Sequence, residues 1–192
     1  FIEGGYPLSN PKDSQFFSRA TNLQLKNAQL CAFGMTRRRG MEAHHDPGMK
    51  ALLEANTPIV TIVGKTSCFH VETVLGVSRD DNLDMIQDTV AYLTSESREV
   101  FYDAEHFFDG WKLDATYSLD TLRAAVQGGA TRLILCDTNG GTLPPEIAAI
   151  VTEVTQSLAT PLGIHCHNDC DVAVANTLSA ISAGCIQAQG TI

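Results

Sequence analysis

The sequence is short of basic charge. Its 192 residues carry 13 lysines and arginines against 22 aspartates and glutamates, a formal net charge of -9 at neutral pH. Nucleic acids and anionic membranes bind through cationic groups that neutralise phosphates, and the one basic cluster, Arg37-Arg38-Arg39, is too short and isolated to serve. No apolar run approaches the roughly 20 residues that cross a bilayer. No glycine-rich Gly-x-Gly-x-x-Gly turn follows an apolar run, which weakens a dinucleotide-binding reading. Gly64-Lys65-Thr66 resembles the end of a P-loop, but Ile59 stands where that loop needs another glycine. Cys-x-x-Cys pairs are absent too. The six cysteines are scattered, several in apolar runs such as Leu133-Ile134-Leu135-Cys136, so a reducing, cytoplasmic setting is expected. The chain opens on Phe1 without an initiating Met and stops at Thr191-Ile192, and both ends read as cut within a strand.

What is present is the composition of a folded domain. Hydrophobic residues make up 44% and charged residues 18%, far from the disordered regime, and the length suits one domain or part of a larger one. Short runs rich in Val, Ile, Leu and Phe alternate with longer amphipathic stretches, the pattern of successive βα units. The strands are expected at Phe1 to Gly4, Ala28 to Gly34, Ile59 to Val63, Val100 to Tyr102, Leu133 to Cys136, Leu162 to His165 and Ile186 to Gln189. Leu83, Ile86, Val90 and Leu93 recur at helical spacing behind Asp80-Asp81-Asn82. A second stripe, Leu119, Leu122 and Val126, stops at Gly128-Gly129. Thr142 before Pro144-Pro145 reads as the cap of a third helix, carrying Ile147, Ile150, Val151, Val154 and Leu158. Val172, Ala175, Leu178 and Ile181 form a fourth stripe, and earlier helices are expected over Pro11 to Ala20 and Asp46 to Asn56.

Seven parallel strands suit either an open doubly wound sheet or a (β/α)8 TIM barrel. Polar clusters recur at the carboxyl end of strand after strand: Glu3, Thr36-Arg37, Lys65-Thr66-Ser67, Asp103 with Glu105, Asp137-Thr138-Asn139, then His165 with His167. In a barrel those ends converge on one mouth, whereas an open sheet spreads them along an edge. An α/β barrel, incomplete, is therefore the expected fold, with residues 1–192 as one partial barrel domain.

His165 and His167 stand two apart at a strand end, so both imidazoles face one spot and offer two ligands to a divalent metal. The competing reading makes one a core residue and the other a loop residue. Asp103 and Glu105 also share a face, as paired carboxylates that position water or move protons, or as two solvated acids in a loop. Thr138 is suited to hold a substrate carboxylate where Gly140-Gly141 let the backbone come close; a simple turn is the alternative. Lys65 reads as a salt-bridging or carboxylate-binding lysine ahead of a Schiff-base lysine. His44-His45 has adjacent, diverging side chains and reads as a loop. His70 and Trp111 carry no clear signal.

Together these motifs resemble the metal-dependent acyl-CoA Claisen condensing enzymes that include isopropylmalate and homocitrate synthases, most closely the citramalate-forming branch. The segments Tyr102-Asp103-Ala104-Glu105-His106-Phe107-Phe108-Asp109-Gly110, Asp137-Thr138-Asn139-Gly140-Gly141 and His165-Cys166-His167-Asn168-Asp169 carry the likeness, which extends through Phe1 to Tyr6 and Phe33 to Arg38. The resemblance implies an acetyl-CoA-dependent acyltransferase acting on an α-keto acid, pyruvate first. It implies metal ligation by His165 and His167, a catalytic role in water activation or proton transfer for Glu105, and substrate binding by Asp103 and Thr138. The implied cofactor is a divalent metal (Mg, Mn or Zn), with acetyl-CoA as co-substrate and a homodimer as the full-length assembly. An aldolase or lyase on the same barrel, and an inert fragment, are the alternatives. The family's Asp-Thr-Thr-Leu-Arg-Asp-Gly strand, source of a third metal ligand, is expected before Phe1, so strands two to eight are present and strand one and the last helix are not. Asp171 stands where the family pattern has glycine, and Ser67-Cys68 where it has Trp-Asp. The second departure bears on which keto acid fits.

Overall fold

The computed structural model describes residues 1–20 and 22–191, so the expected strand end at Thr191-Ile192 lies partly outside it. Seven strands form one parallel sheet in strict chain order. They are β1 (Ile2–Glu3), β2 (Leu30–Met35), β3 (Ile59–Lys65), β4 (Glu99–Glu105), β5 (Arg132–Asp137), β6 (Leu162–Cys166) and β7 (Gln187–Gln189). Between them run α1 (Pro11–Ala20), α2 (Pro47–Glu54), α3 (Arg79–Ser95), α4 (Phe107–Leu113), α5 (Ala115–Gly128), α6 (Pro144–Ser157) and α7 (Ala173–Ser182). A doubly wound sheet reverses its strand order at a switch point. Here the order never reverses, so the sheet is the (β/α)8 barrel type, and its outermost strands, β1 and β7, each pair with one neighbour.

Alternation along the strands separates two environments. Val60, Ile62, Val100, Tyr102, Leu133, Leu135, Leu162 and Ile164 face the helices and pack with Ile86, Leu93, Leu122, Ile147 and Val151 into one buried core. The other face begins apolar: Cys31, Ile59 and Phe101 form a small cluster near the amino ends of the strands. The ring of Phe1 meets Phe101 edge-on at 5.0 Å, and the Arg132 guanidinium lies 5.1 Å from the Phe101 ring centre. Towards the carboxyl ends this face turns polar, through Glu3, Thr61, Lys65, Asp103, Glu105, His165 and Gln189. One face of the sheet binds helices; the other is left for chemistry.

Several local expectations needed correction. Strand β4 runs to Glu105, beyond the expected Tyr102, because its pairing with β3 continues to Lys65 opposite Glu105. Both carboxylates are thus strand residues and not loop acids. The cap of α3 is Ser78, whose Oγ accepts the Asp81 N–H at 3.0 Å while Asp81 Oδ2 takes the Ser78 N–H at 3.3 Å. Asn82, read as part of the start signal, is instead buried and donates to the Lys65 carbonyl and the Tyr117 hydroxyl. Thr142 does not cap α6. Its hydroxyl donates to Asp137 Oδ1 at 3.0 Å, and Glu146 takes the Leu143 N–H instead.

Candidate active site

The register of the sheet builds the site pair by pair. Lys65 stands opposite Glu105 across β3 and β4, and their ammonium and carboxylate form a half-buried ion pair. His165 stands opposite Gln189 across β6 and β7, and its Nδ1 lies 2.8 Å from Gln189 Oε1. An amide oxygen only accepts, so Nδ1 carries the proton and the lone pair of His165 sits on Nε2. The Gln189 amide nitrogen in turn donates to Asp103 Oδ1 at 3.2 Å. A continuous chain of contacts therefore links β6, β7 and β4 across the polar face.

Asp103 is only 6% exposed. Burial, with the nearby charge of Glu3 adding to it, pushes its carboxyl up to about 8, against the smaller opposing effect of the Gln189 hydrogen bond. Glu3 is raised in the same direction by burial, partly offset by Thr61. Asp103 thus favours its neutral, hydrogen-bond-donating form. Sequence reasoning placed Glu3 at a strand end without a role, and missed Gln189. The period-two pattern Gln187-Ala188-Gln189, on the same face as His165, is the signal that finds the latter.

The two histidines lie close, with ring centres 5.2 Å apart. An open cleft of about 480 Å³ is lined by His165, Cys166, His167, Asn168, Asp169, Gly190 and Thr191. The donor set suits a divalent ion: imidazole is a common ligand, and a ligating histidine characteristically donates its other ring N–H to an orienting acceptor, as His165 does to Gln189. Among the described residues no third His, Cys, Asp or Glu ligand atom joins this pair. Cys166 is no nucleophile at neutral pH, because burial pushes its thiol up to about 11.

Thr138 sits one strand away. Its Oγ1 accepts the backbone N–H of His106 at 2.8 Å, which leaves the hydroxyl proton free to donate. His106 is in the left-handed conformation, φ 54°, and stacks on His70 with ring centres 4.1 Å apart. Asp109 Oδ2 binds His106 Nδ1 at 3.2 Å and takes the Asn139 amide at 2.6 Å. His70, silent in the sequence, is thus packed beside Glu105's neighbour. Trp111 packs on Phe107 as core.

Gly140, φ 61°, explains the Gly-Gly turn. A Cβ there would lie 2.8 Å from the His167 carbonyl and 2.9 Å from the Asp169 N, whereas one on Gly141 meets nothing within 4 Å. The first glycine lets the β5 and β6 loops approach each other, and only the second leaves open space.

A model of the HMGL-like family matches residues 1–192. The chain belongs to the HMGL-like family. Among its relatives, the (R)-citramalate synthase of Geobacter sulfurreducens is 48% identical over 192 residues, covering 100% of this chain and 36% of that protein. The (R)-citramalate synthase of Aquifex aeolicus is 49% identical over 193 residues, covering 100% and 37%. The chain therefore spans just over a third of the length of these relatives. In structure it is similar to hydroxymethylglutaryl-CoA lyase from Pseudomonas aeruginosa, with a TM-score of 0.77 at 16% identity, over 98% of this chain and 62% of that one. That likeness shows that the HMGL-like fold is shared. No helix of the described residues is long and apolar enough to cross a membrane.

Proposed function

We propose that residues 1–192 form, as one partial (β/α)8 barrel domain, the metal-binding and proton-handling part of an acyltransferase that condenses acetyl-CoA with an α-keto acid. Pyruvate is the proposed acceptor and citramalate the product. The observation that carries the reading is the chain of contacts from His165 through Gln189 to Asp103, on the same sheet face as the Lys65–Glu105 pair. The likeness to the two (R)-citramalate synthases adds the reaction class.

In this reading His165 and His167 hold the divalent ion. When bound, it supplies a Lewis acid that polarises the keto carbonyl and offsets the negative charge developing on its oxygen. Thr138 donates its hydroxyl proton to the keto-acid carboxylate, aimed by the His106 N–H on its oxygen. Asp103, kept protonated by burial, donates a hydrogen bond to a substrate oxygen at the floor of the site. Glu105 moves a proton or orients water, and Lys65 balances its charge. A lysine held in that ion pair is cationic and a poor amine nucleophile, which argues against Schiff-base chemistry at Lys65. The six cysteines are free thiols, which supports the cytoplasm as the setting. The homodimer rests on the resemblance, and light scattering on the full-length protein tests it.

The test is release of free CoA thiol from acetyl-CoA by the full-length polypeptide. Release should require both pyruvate and a divalent metal, and should be lost in His167→Ala. Metal-independent release would overturn the reading, as would borohydride trapping of substrate on Lys65.

A further inference from the structure

The loop after β2 holds a cluster that the proposed reaction does not use. It lies on a short helical turn, Ala43–His45, just ahead of α2 and four strands from the His165 cleft. Neighbouring imidazoles were expected to diverge there. Instead the rings of His44 and His45 are 3.9 Å apart at 45°, and both turn to one carboxylate oxygen. Glu42 Oε2 is 3.4 Å from His44 Nε2 and 3.9 Å from His45 Nδ1, and the three donor atoms lie within 4.8 Å of one another.

We propose that Glu42, His44 and His45 form a second metal site, for a borderline transition ion such as Zn2+ or Ni2+ in preference to Mg2+. Two neutral imidazoles and one carboxylate suit such ions, whereas Mg2+ prefers oxygen ligands and retains its water. A tetrahedral ion with bonds of about 2.0–2.1 Å spaces its ligand atoms about 3.3 Å apart. The Glu42–His44 edge is close to that length at 3.4 Å and the Glu42–His45 edge is 3.9 Å, so closure on an ion draws these exposed side chains together. Water completes the shell, since the side chains of Glu42, His44 and His45 are 73%, 53% and 69% exposed.

The backbone beneath these ligands is held in place, which lowers the ordering cost of binding. Ala43 is buried. The His45 N–H bonds the Glu42 carbonyl and the Asp46 N–H the Ala43 carbonyl. Asp46 takes the Arg38 N–H at 2.8 Å and caps α2 through Gly48 at 2.6 Å. Arg37 clamps the start of the loop through Asp88 at 2.6 Å and the Met41 carbonyl at 3.0 Å.

Calorimetric titration of Zn2+ and Ni2+ into the purified protein tests the site, alongside the variants H44A/H45A, E42Q and H165A/H167A. One binding equivalent should survive in H165A/H167A, weaken in E42Q and disappear in H44A/H45A. Mg2+ should produce no signal dependent on His44 and His45. Visible absorption of bound Co2+, compared between the unsubstituted protein and H44A/H45A, gives a second readout of imidazole ligation. Retention of every equivalent and of the full Co2+ spectrum in H44A/H45A would overturn the proposal. So would loss of all binding in H165A/H167A with its circular dichroism unchanged.

Discussion

Asp103 and Gln189 set the character of the polar face residue by residue. The Asp103 carboxyl is raised from 3.8 to about 8, chiefly by burial. The folded protein therefore keeps a proton on it that the unfolded chain releases above pH 4. Its contribution to stability is complete below that pH and is lost as pH rises through about 8. Denaturant unfolding from pH 4 to 9 should show a decline that Asp103→Asn flattens; an unchanged slope would mean that Asp103 is ionised in the fold. Gln189 acts through His165. Gln189→Leu removes the acceptor that fixes the Nδ1 proton, so affinity for Mn2+ in the full-length protein should fall roughly 10- to 100-fold, the usual cost of losing such an orienting partner. Gln189→Glu keeps an acceptor and should retain binding. Equal affinities for all three proteins would assign Gln189 to packing alone.

At the scale of elements, the loops at the carboxyl ends of β5 and β6 are tied to each other as well as to the helices that follow them. The Asp137 carbonyl accepts both the Gly140 and the His167 N–H, each at 3.1 Å. The buried Asp137 carboxylate gathers Thr142 and the Asn176 amide from α7. Gly140→Ala introduces a Cβ against the His167 carbonyl and a left-handed φ that costs about 1–2 kcal/mol for a non-glycine residue. It should lower both the melting temperature and metal affinity, whereas Gly141→Ala, with nothing nearby, should leave the melting temperature close to unchanged. Differential scanning calorimetry of the two variants compares them directly. These loops also mark the limit of what the sequence conveys. The strands and their order were legible because alternation of strand and helix is written in hydrophobic period, and α1 lies over the expected residues Pro11–Ala20. The resemblance to acyl-CoA condensing enzymes likewise reached the family. The α4 segment was not legible: it begins at a left-handed His106 with no side-chain cap and contains Gly110. Nor was the use of Thr142, whose hydroxyl serves a buried carboxylate five residues back. Partners chosen by tertiary contact leave no period in the chain. Gln189 reaches across 86 positions to Asp103, and only the register of the sheet brings them together.

For the molecule as a whole, the sheet has two outer strands, and apolar surface collects beside them. Phe1 is 55% and Ile2 46% exposed on one side. On the other, Ile186 precedes β7, and Val174, Leu178 and Ile181 form an outward stripe along α7. Their spacing of four and three residues places them on one helical face. Leu178 and Ile181, expected in a buried stripe, thus face outward, while Asn176 and Ala180 are the buried residues of that helix. Unpaired backbone on a strand edge next to exposed apolar side chains is a template for association. The 192-residue chain should therefore self-associate with rising concentration, which light scattering after size exclusion measures. Val174→Glu with Leu178→Glu should reduce that association while leaving helical circular dichroism intact, because both side chains already face water and neither belongs to the buried core. The charge of -9 opposes association between copies at long range, so salt should strengthen it by screening repulsion. Association that weakens with salt would place the contact at charged surface, and association that persists unchanged in the double variant would move it from the α7 stripe to the edge beside β1, where Phe1 and Ile2 are exposed.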